Sequence, residues 1–297
     1  MSLTYLSAII ALVLWSGTAI ANKFAVLSMD GLTAGVLRSM LAGLVALGVV
    51  LLLKLPFPRS ITDRNLLFVS GFCSFAIWPV LMSIGIENTT VGHAALIMAL
   101  IPVITVLISS LTSKSLPSFS WLIGAAIALA ATAVIILTRE NSSGLTNDGS
   151  SMRGDLMVLA GCVVCSAGYV AGGKLSPKIG TLATTFWGLS VALLLLLPTF
   201  LLIAGDTQWD EVEIESWLGI AWMAVLSSLL GYALWFYALG SGGITRISSM
   251  QLMMPVLTLF LAVMLLGESL TVLLAFTCIL IIGGTLLAQR SVSPDIH

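Results

Sequence analysis

The chain has 297 residues, 59% of them hydrophobic and only 8% charged, with a net charge of −1. Soluble domains carry roughly 25% charged residues, so a mean hydropathy of +1.12 excludes a soluble globular protein: too little polar surface exists to cover it. The near-neutral charge also argues against nucleic acid as a partner, since a phosphate backbone is bound by a surplus of lysine and arginine.

A helix that crosses a bilayer needs roughly 20 predominantly apolar residues. Ten stretches are candidates: 4–26, 32–54, 65–86, 91–113, 118–138, 154–174, 180–204, 216–239, 245–266 and 270–289. The first lacks the basic flank of a signal peptide and is long enough to span, so it reads as a retained helix. Met29-Asp30-Gly31 alone separates it from the second. Most connections are short, which implies a compact bundle. The longest hydrophilic stretch, Arg139 to Asp155, is rich in Ser, Asn and Gly and falls mid-chain, where a linker between two halves belongs. The expected fold is an all-α integral membrane protein of ten transmembrane helices. A five-helix unit covers 1–139, a linker 140–153, a second five-helix unit 154–290 and a cytoplasmic tail 291–297.

The two halves look like copies. Gly92 to Thr105 and Thr245 to Thr258 are apolar helical runs with a Pro-Val at the same place, Pro102-Val103 and Pro255-Val256. Pro79 to Ile86 matches Tyr232 to Leu239 at the same offset. An odd number of spans per copy forces the second to enter the membrane upside down, and inverted repeats are a recurrent plan of secondary transporters, with the substrate near midplane. Basic residues support this. With the N-terminus inside, the cytoplasmic side receives Lys54, Arg59, Arg64, Lys114, Lys174, Lys178, Arg246 and Arg290, and the outside only Lys23, Arg139 and Arg153. Both termini are then expected in the cytoplasm, and the acidic loop from Asp206 to Glu215 outside.

The four cysteines, Cys73, Cys162, Cys165 and Cys278, all lie inside apolar runs. Cys162 and Cys165 have CxxC spacing without a neighbouring Cys or His, so they read as membrane-core residues rather than a metal or redox site. No metal or cofactor is expected.

With these motifs in order, the chain resembles the EamA-type exporters of the drug/metabolite transporter superfamily. The residues that carry the likeness are Leu14-Trp15-Ser16, Arg38 in the second span, Tyr232 to Leu239 in the eighth, and Pro255-Val256-Leu257-Thr258 in the ninth. Leu265 to Thr271 and Gly283-Gly284 complete it. The resemblance implies two five-helix repeats around a central cavity, export of small metabolites and location in the bacterial inner membrane. One departure stands out: Lys114-Ser115 occupies the place in the first copy that Gly267-Glu268 holds in the second.

Among single residues Arg38 is the most informative. It lies about seven residues into its span, on the order of 10 Å deep at 1.5 Å per residue. An arginine at a helix centre costs roughly 2.5–3.5 kcal/mol on insertion scales, so it must face a polar cavity or a partner. It either contacts a substrate carboxylate or phosphate, or bonds backbone carbonyls or snorkels outward. Trp15, Asn22, Trp78, Met82, Met98, Tyr169, Tyr232, Trp235 and Gln251 are the other candidates to line a substrate pocket. Pro102 and Pro255, inside helices, are expected to shape it as kinks or hinges, since each removes a backbone hydrogen bond. His93 and Glu268, at span ends, read as a helix cap or hydrated interface residue and as a structural cap or loop anchor. Trp209 and Trp217 read as interface anchors. Gly31 and Gly35, Gly168 and Gly172, and the Ala-rich run 125–133 mark close helix packing.

The leading expectation is a secondary transporter that exports amino acids or related small metabolites by alternating access. The partners are a small-molecule substrate and the lipid bilayer; one chain suffices for a pathway, and a homodimer stays open. No Gly-x4-Gly-Lys-Ser/Thr motif is present, so no ATPase is encoded. The alternatives are a drug or nucleotide-type exporter of the same fold, and a membrane enzyme acting on lipids. The enzyme is disfavoured because His93 and His297 are the only histidines and no acidic cluster faces the cytoplasm.

Overall fold

The computed structural model describes residues 3–113, 118–137, 150–232, 234–235, 238, 250 and 253–290. Among them the secondary structure is helical throughout. In chain order the helices are α1 Leu3–Ala25, α2 Gly31–Leu53, α3 Ile61–Glu87, α4 Val91–Met98, α5 Ile101–Ser113 and α6 Phe119–Leu137. They continue as α7 Met152–Ile179, α8 Thr181–Ile203, α9 Ile214–Gly231, α10 Met254–Leu266 and α11 Val272–Arg290. Eight helical segments are long and apolar enough to cross a membrane, with α4 and α5 together forming one of them, Val91–Thr112. Met254–Leu266 and Val272–Leu287 are shorter apolar helices. The molecule is a multi-pass membrane protein: in lipid each backbone group needs an internal partner, which helices supply.

Two of these helices are irregular at matching places. α3 contains a π-helical stretch, Gly71–Ile77, and α9 one at Trp222–Gly231. Each stands just ahead of the matched motifs at Pro79 and Tyr232. A π turn inserts extra residues into the coil and re-aims the side chains beyond it.

Small residues set the helix spacing as expected. A Cβ on Gly35 would lie 2.6 Å from the Val80 Cα, and one on Gly284 2.7 Å from the Gly124 carbonyl and 2.9 Å from Ala128 N. Both obstacles are backbone, so α2 lies against α3, and α11 against α6, at a distance only glycine permits. Gly35→Ala is expected to push α2 from α3 and to cost about 1–3 kcal/mol, as overpacking does; a lower melting temperature of the purified protein in detergent checks it.

Polar groups gather at one end of the bundle. Asp30 caps α2, accepting from Thr33 N at 2.9 Å, and Glu87 accepts from Gly31 N at 3.2 Å. Lys23 Nζ donates to the Ile86 and Thr89 carbonyls at 3.0 and 3.1 Å. Thr89 Oγ1 donates to Asp155 Oδ1 at 2.5 Å, and the other Asp155 oxygen lies 3.0 Å from His93 Nδ1. Gly267, at φ 67°, closes α10 in the left-handed conformation that favours glycine. It is followed by Glu268, whose carboxylate accepts from Val91 N at 2.7 Å and Gly92 N at 2.9 Å. Glu268 is therefore the cap expected of it, on the first turn of α4.

Two expectations are corrected here. His93 is neither hydrated nor a cap: it is 0% exposed, paired with a 1%-exposed Asp155, while Thr90 Oγ1 caps α4. Lys23 is no loop charge but sits 4% exposed within α1, so it drops out of the comparison of basic loops. Lys178, at the end of α7, meets Asp63 at the start of α3, at 2.5 Å. Lys114, Ser115, Arg139 and Arg246 lie outside the described residues.

Candidate functional site

One and two turns before Asn22 on α1, Thr18 and Trp15 open onto a cavity of about 200 Å³. It lies at a break in the fourth span. α4 ends at Met98, Ala99 and Leu100 turn, and α5 restarts at Ile101. The cause is Pro102, which has no N–H to give the Met98 carbonyl and whose ring clashes with the preceding turn. Proline is accepted in the first turn of a helix, and Pro255 holds the same position in α10. The expectation of prolines inside kinked helices is thus corrected: both begin helices. Met98, Ala99, Ile101, Pro102, Met254 and Pro255 all line the cavity.

Its walls are aromatic and hydroxylic. Trp15 is fixed by donating Nε1–H to the Ser227 carbonyl at 3.0 Å and by edge contact with Tyr232, ring centres 5.1 Å apart. Trp78 and Tyr169 stand in the same wall. Tyr169 lies beside Tyr232 and Cys165. Thr18 and Ser227 share a hydrogen bond of 2.8 Å between their hydroxyls, and Thr258 donates to the Ser16 carbonyl at 3.2 Å. The π-helical turn of α9 brings Ser227 to face α1.

Arg38 is the charged group of this wall among the described residues. It is 8% exposed and makes no hydrogen bond or ion pair with a described residue. Tyr232 is near enough to interact with it electrostatically. Of the readings of Arg38 from sequence, bonding to backbone carbonyls is not seen among the described residues, and at 8% exposed the side chain does not reach outward. A guanidinium buried without an acceptor is costly.

Of the predicted pocket residues, Arg38, Trp15, Trp78, Met98 and Tyr169 meet in the cavity, with Pro102 and Pro255. Three others sit in the packing around it. Asn22, 0% exposed, accepts from Ser83 Oγ at 2.9 Å; Met82 belongs to the apolar core with Ile86 and Val158; Trp235 packs on Trp15 at 5.3 Å between ring centres. Tyr232 backs the wall through Trp15 and Tyr169. Gln251 lies outside the described residues. Sequence reading missed the hydroxyls Thr18, Ser227, Thr258 and Thr285. Their signal was a polar atom in an apolar span, which in Ser and Thr is masked by their habit of bonding their own helix. Cys162 and Cys165 are buried free thiols in α7.

Pro102→Ala is expected to join α4 to α5 by restoring a donor for the Met98 carbonyl and removing a helix penalty of about 3 kcal/mol. Transport should fall while the melting temperature holds or rises, as vesicle flux and thermal unfolding would report.

A multi-pass helical bundle that encloses a small cation-bearing cavity at a helix break is built as a membrane transporter. The EamA-like transporter family matches residues 2–137 and again 152–289, and the chain belongs to that family. Its relatives include the uncharacterized transporter YdeK of Bacillus subtilis, 29% identical over 265 residues, 89% of each chain. The uncharacterized inner membrane transporter YedA of Escherichia coli is 25% identical over 262 residues, 87% of this chain and 81% of that one. A probable amino-acid metabolite efflux pump of Salmonella typhimurium is 27% identical over 167 residues, 54% of this chain and 55% of its own. A protein of known crystal structure, 20% identical, shares the fold with a TM-score of 0.63 over 98% of this chain and 99% of that one.

Proposed function

We propose that the chain is a secondary transporter that exports small metabolites bearing an anionic group, amino acids or related compounds, across the bacterial inner membrane by alternating access. The observation that carries this reading is Arg38, buried in the cavity wall without an acceptor among the described residues. Cavity size supports it: about 200 Å³ falls below the roughly 300–1,000 Å³ of drug-sized sites, which favours a small metabolite over a drug. The relative in Salmonella named as a probable amino-acid metabolite efflux pump points the same way, and the inner membrane transporter of Escherichia coli supports the location.

The architecture behind this reading is ten spans in two inverted five-helix repeats, 1–139 and 154–290, joined by a linker. Two separate family matches support it, as do π turns and helix-starting prolines at corresponding places in the two halves. Rocking of one half against the other would alternate access to the midplane cavity. The polar network from Lys23 to Glu268 then closes one side, and the excess of basic residues in alternate loops supports both termini in the cytoplasm. The protein performs no covalent chemistry in this scheme.

The test is efflux from proteoliposomes loaded with labelled amino acids, nucleosides or cationic drugs, with and without a pH gradient. Efflux of the amino acids above that from empty vesicles is expected. Efflux of cationic drugs alone would move the chain to the drug exporters, and movement of none of the three would end the transporter reading for these classes.

A further inference from the structure

Thr285, in α11, stands in the cavity wall, is 1% exposed, and its hydroxyl has no hydrogen-bond partner among the described residues. Helical threonines ordinarily return the hydroxyl to a carbonyl one turn back. Thr18, Thr105, Thr132 and Thr277 do so here, and Thr258 reaches the Ser16 carbonyl instead. Thr285 does neither. A buried hydroxyl left unpaired is disfavoured, and each one in a folded protein calls for an explanation.

The same wall holds Arg38. Two buried groups of one cavity thus await partners: a fixed cation, and a neutral hydroxyl that can both donate and accept. No carboxylate stands among the lining residues described. We propose that Thr285 is a specificity-determining residue. Its hydroxyl takes the second polar group of a small anion whose charged end is held by Arg38, so the preferred substrates are small amino- and hydroxy-carboxylates rather than plain alkyl carboxylates. This assignment rests on the transporter reading above. Helical threonine divides between two χ1 rotamers, so the hydroxyl turns toward a ligand without backbone movement. Discrimination follows from pairing: a substrate with a bare carbon at that point leaves the hydroxyl buried and unsatisfied, the situation by which polar sites reject analogues that lack the matching group.

Three labelled probes of one carbon skeleton test this in proteoliposomes: leucine, 2-hydroxyisocaproate and isocaproate. Wild type is expected to move the first two faster than isocaproate by about 3–10-fold, the range of one neutral hydrogen bond. Thr285→Val keeps the shape and removes the hydroxyl. It should bring both rates down to that of isocaproate and leave isocaproate unchanged, while Thr285→Ser restores the preference. Since the hydroxyl is unpaired, Thr285→Val should melt no lower than wild type; a structural role would lower it. No preference in wild type, or the same preference in Thr285→Val, overturns the assignment. Arg38→Gln should slow all three probes. If it slows none, or if wild type moves none, the anion-transporter reading fails and this inference falls with it.

Discussion

Replacing Arg38 by glutamine is expected to reduce transport of anionic and zwitterionic substrates by about 10–100-fold, with a neutral solute of similar size unaffected. The magnitude follows from the interaction lost. A hydrogen bond to a charged group contributes about 1.5–3 kcal/mol, and each 1.4 kcal/mol is tenfold in affinity. The effect should appear mainly as weaker apparent affinity. Arg38→Lys should fall between the two: it keeps the charge but loses the planar fork that grips a carboxylate with two hydrogen bonds. Stability separates this from a structural role. Arg38 has no acceptor among the described residues, so removing it removes an uncompensated buried charge, and Arg38→Gln should melt at or above the wild-type temperature. A structural arginine would show the reverse, with a lower melting temperature and flux reduced for every solute in proportion to the protein lost.

Asp155→Ala should be the most destabilising single change at the polar end of the bundle. Asp155 is 1% exposed and accepts from Thr89 at 2.5 Å while facing His93 at 3.0 Å. Its loss takes an acceptor from two groups that are themselves 1% and 0% exposed. Depriving a buried polar group of its partner costs about 1–3 kcal/mol each, so a loss of several kcal/mol and a fall in melting temperature of about 5–15 °C are expected. Asp155→Asn should fall less, since its amide oxygen still accepts from Thr89. The network spans helices of both halves: α1 supplies Lys23, the α3–α4 connection Thr89, α4 His93 and α7 Asp155. Loosening it should therefore also change the flux of substrates that bind normally. Unfolding in detergent followed by fluorescence, with flux measured below the transition, separates the two effects. An unchanged melting temperature in Asp155→Ala would show that the network does not hold this end together.

The membrane class and most of the spans were legible in the chain alone, because length and apolarity are local properties. Leu3–Ala25, Gly31–Leu53 and Thr181–Ile203 fall within a residue or so of the stretches read from hydropathy. Arg38 was legible for the same reason: a charge inside an apolar run is conspicuous wherever the chain folds. The close-packing glycines were legible too, since spacing on one helix fixes a face. What the sequence could not give was which polar groups meet. Lys23 looked like a loop cation and His93 like a hydrated interface residue. Their burial depends on carbonyls at Ile86 and Thr89 and on a carboxylate at Asp155, more than 60 positions away. The helix break before Pro102 could be expected only as a kink; whether a proline bends a helix or ends it depends on what packs around the freed carbonyl. Thr285 was invisible for a similar reason. A hydroxyl in a helix satisfies itself by default, and only the tertiary structure shows that Thr285 does not among the described residues, and that it stands in the cavity wall.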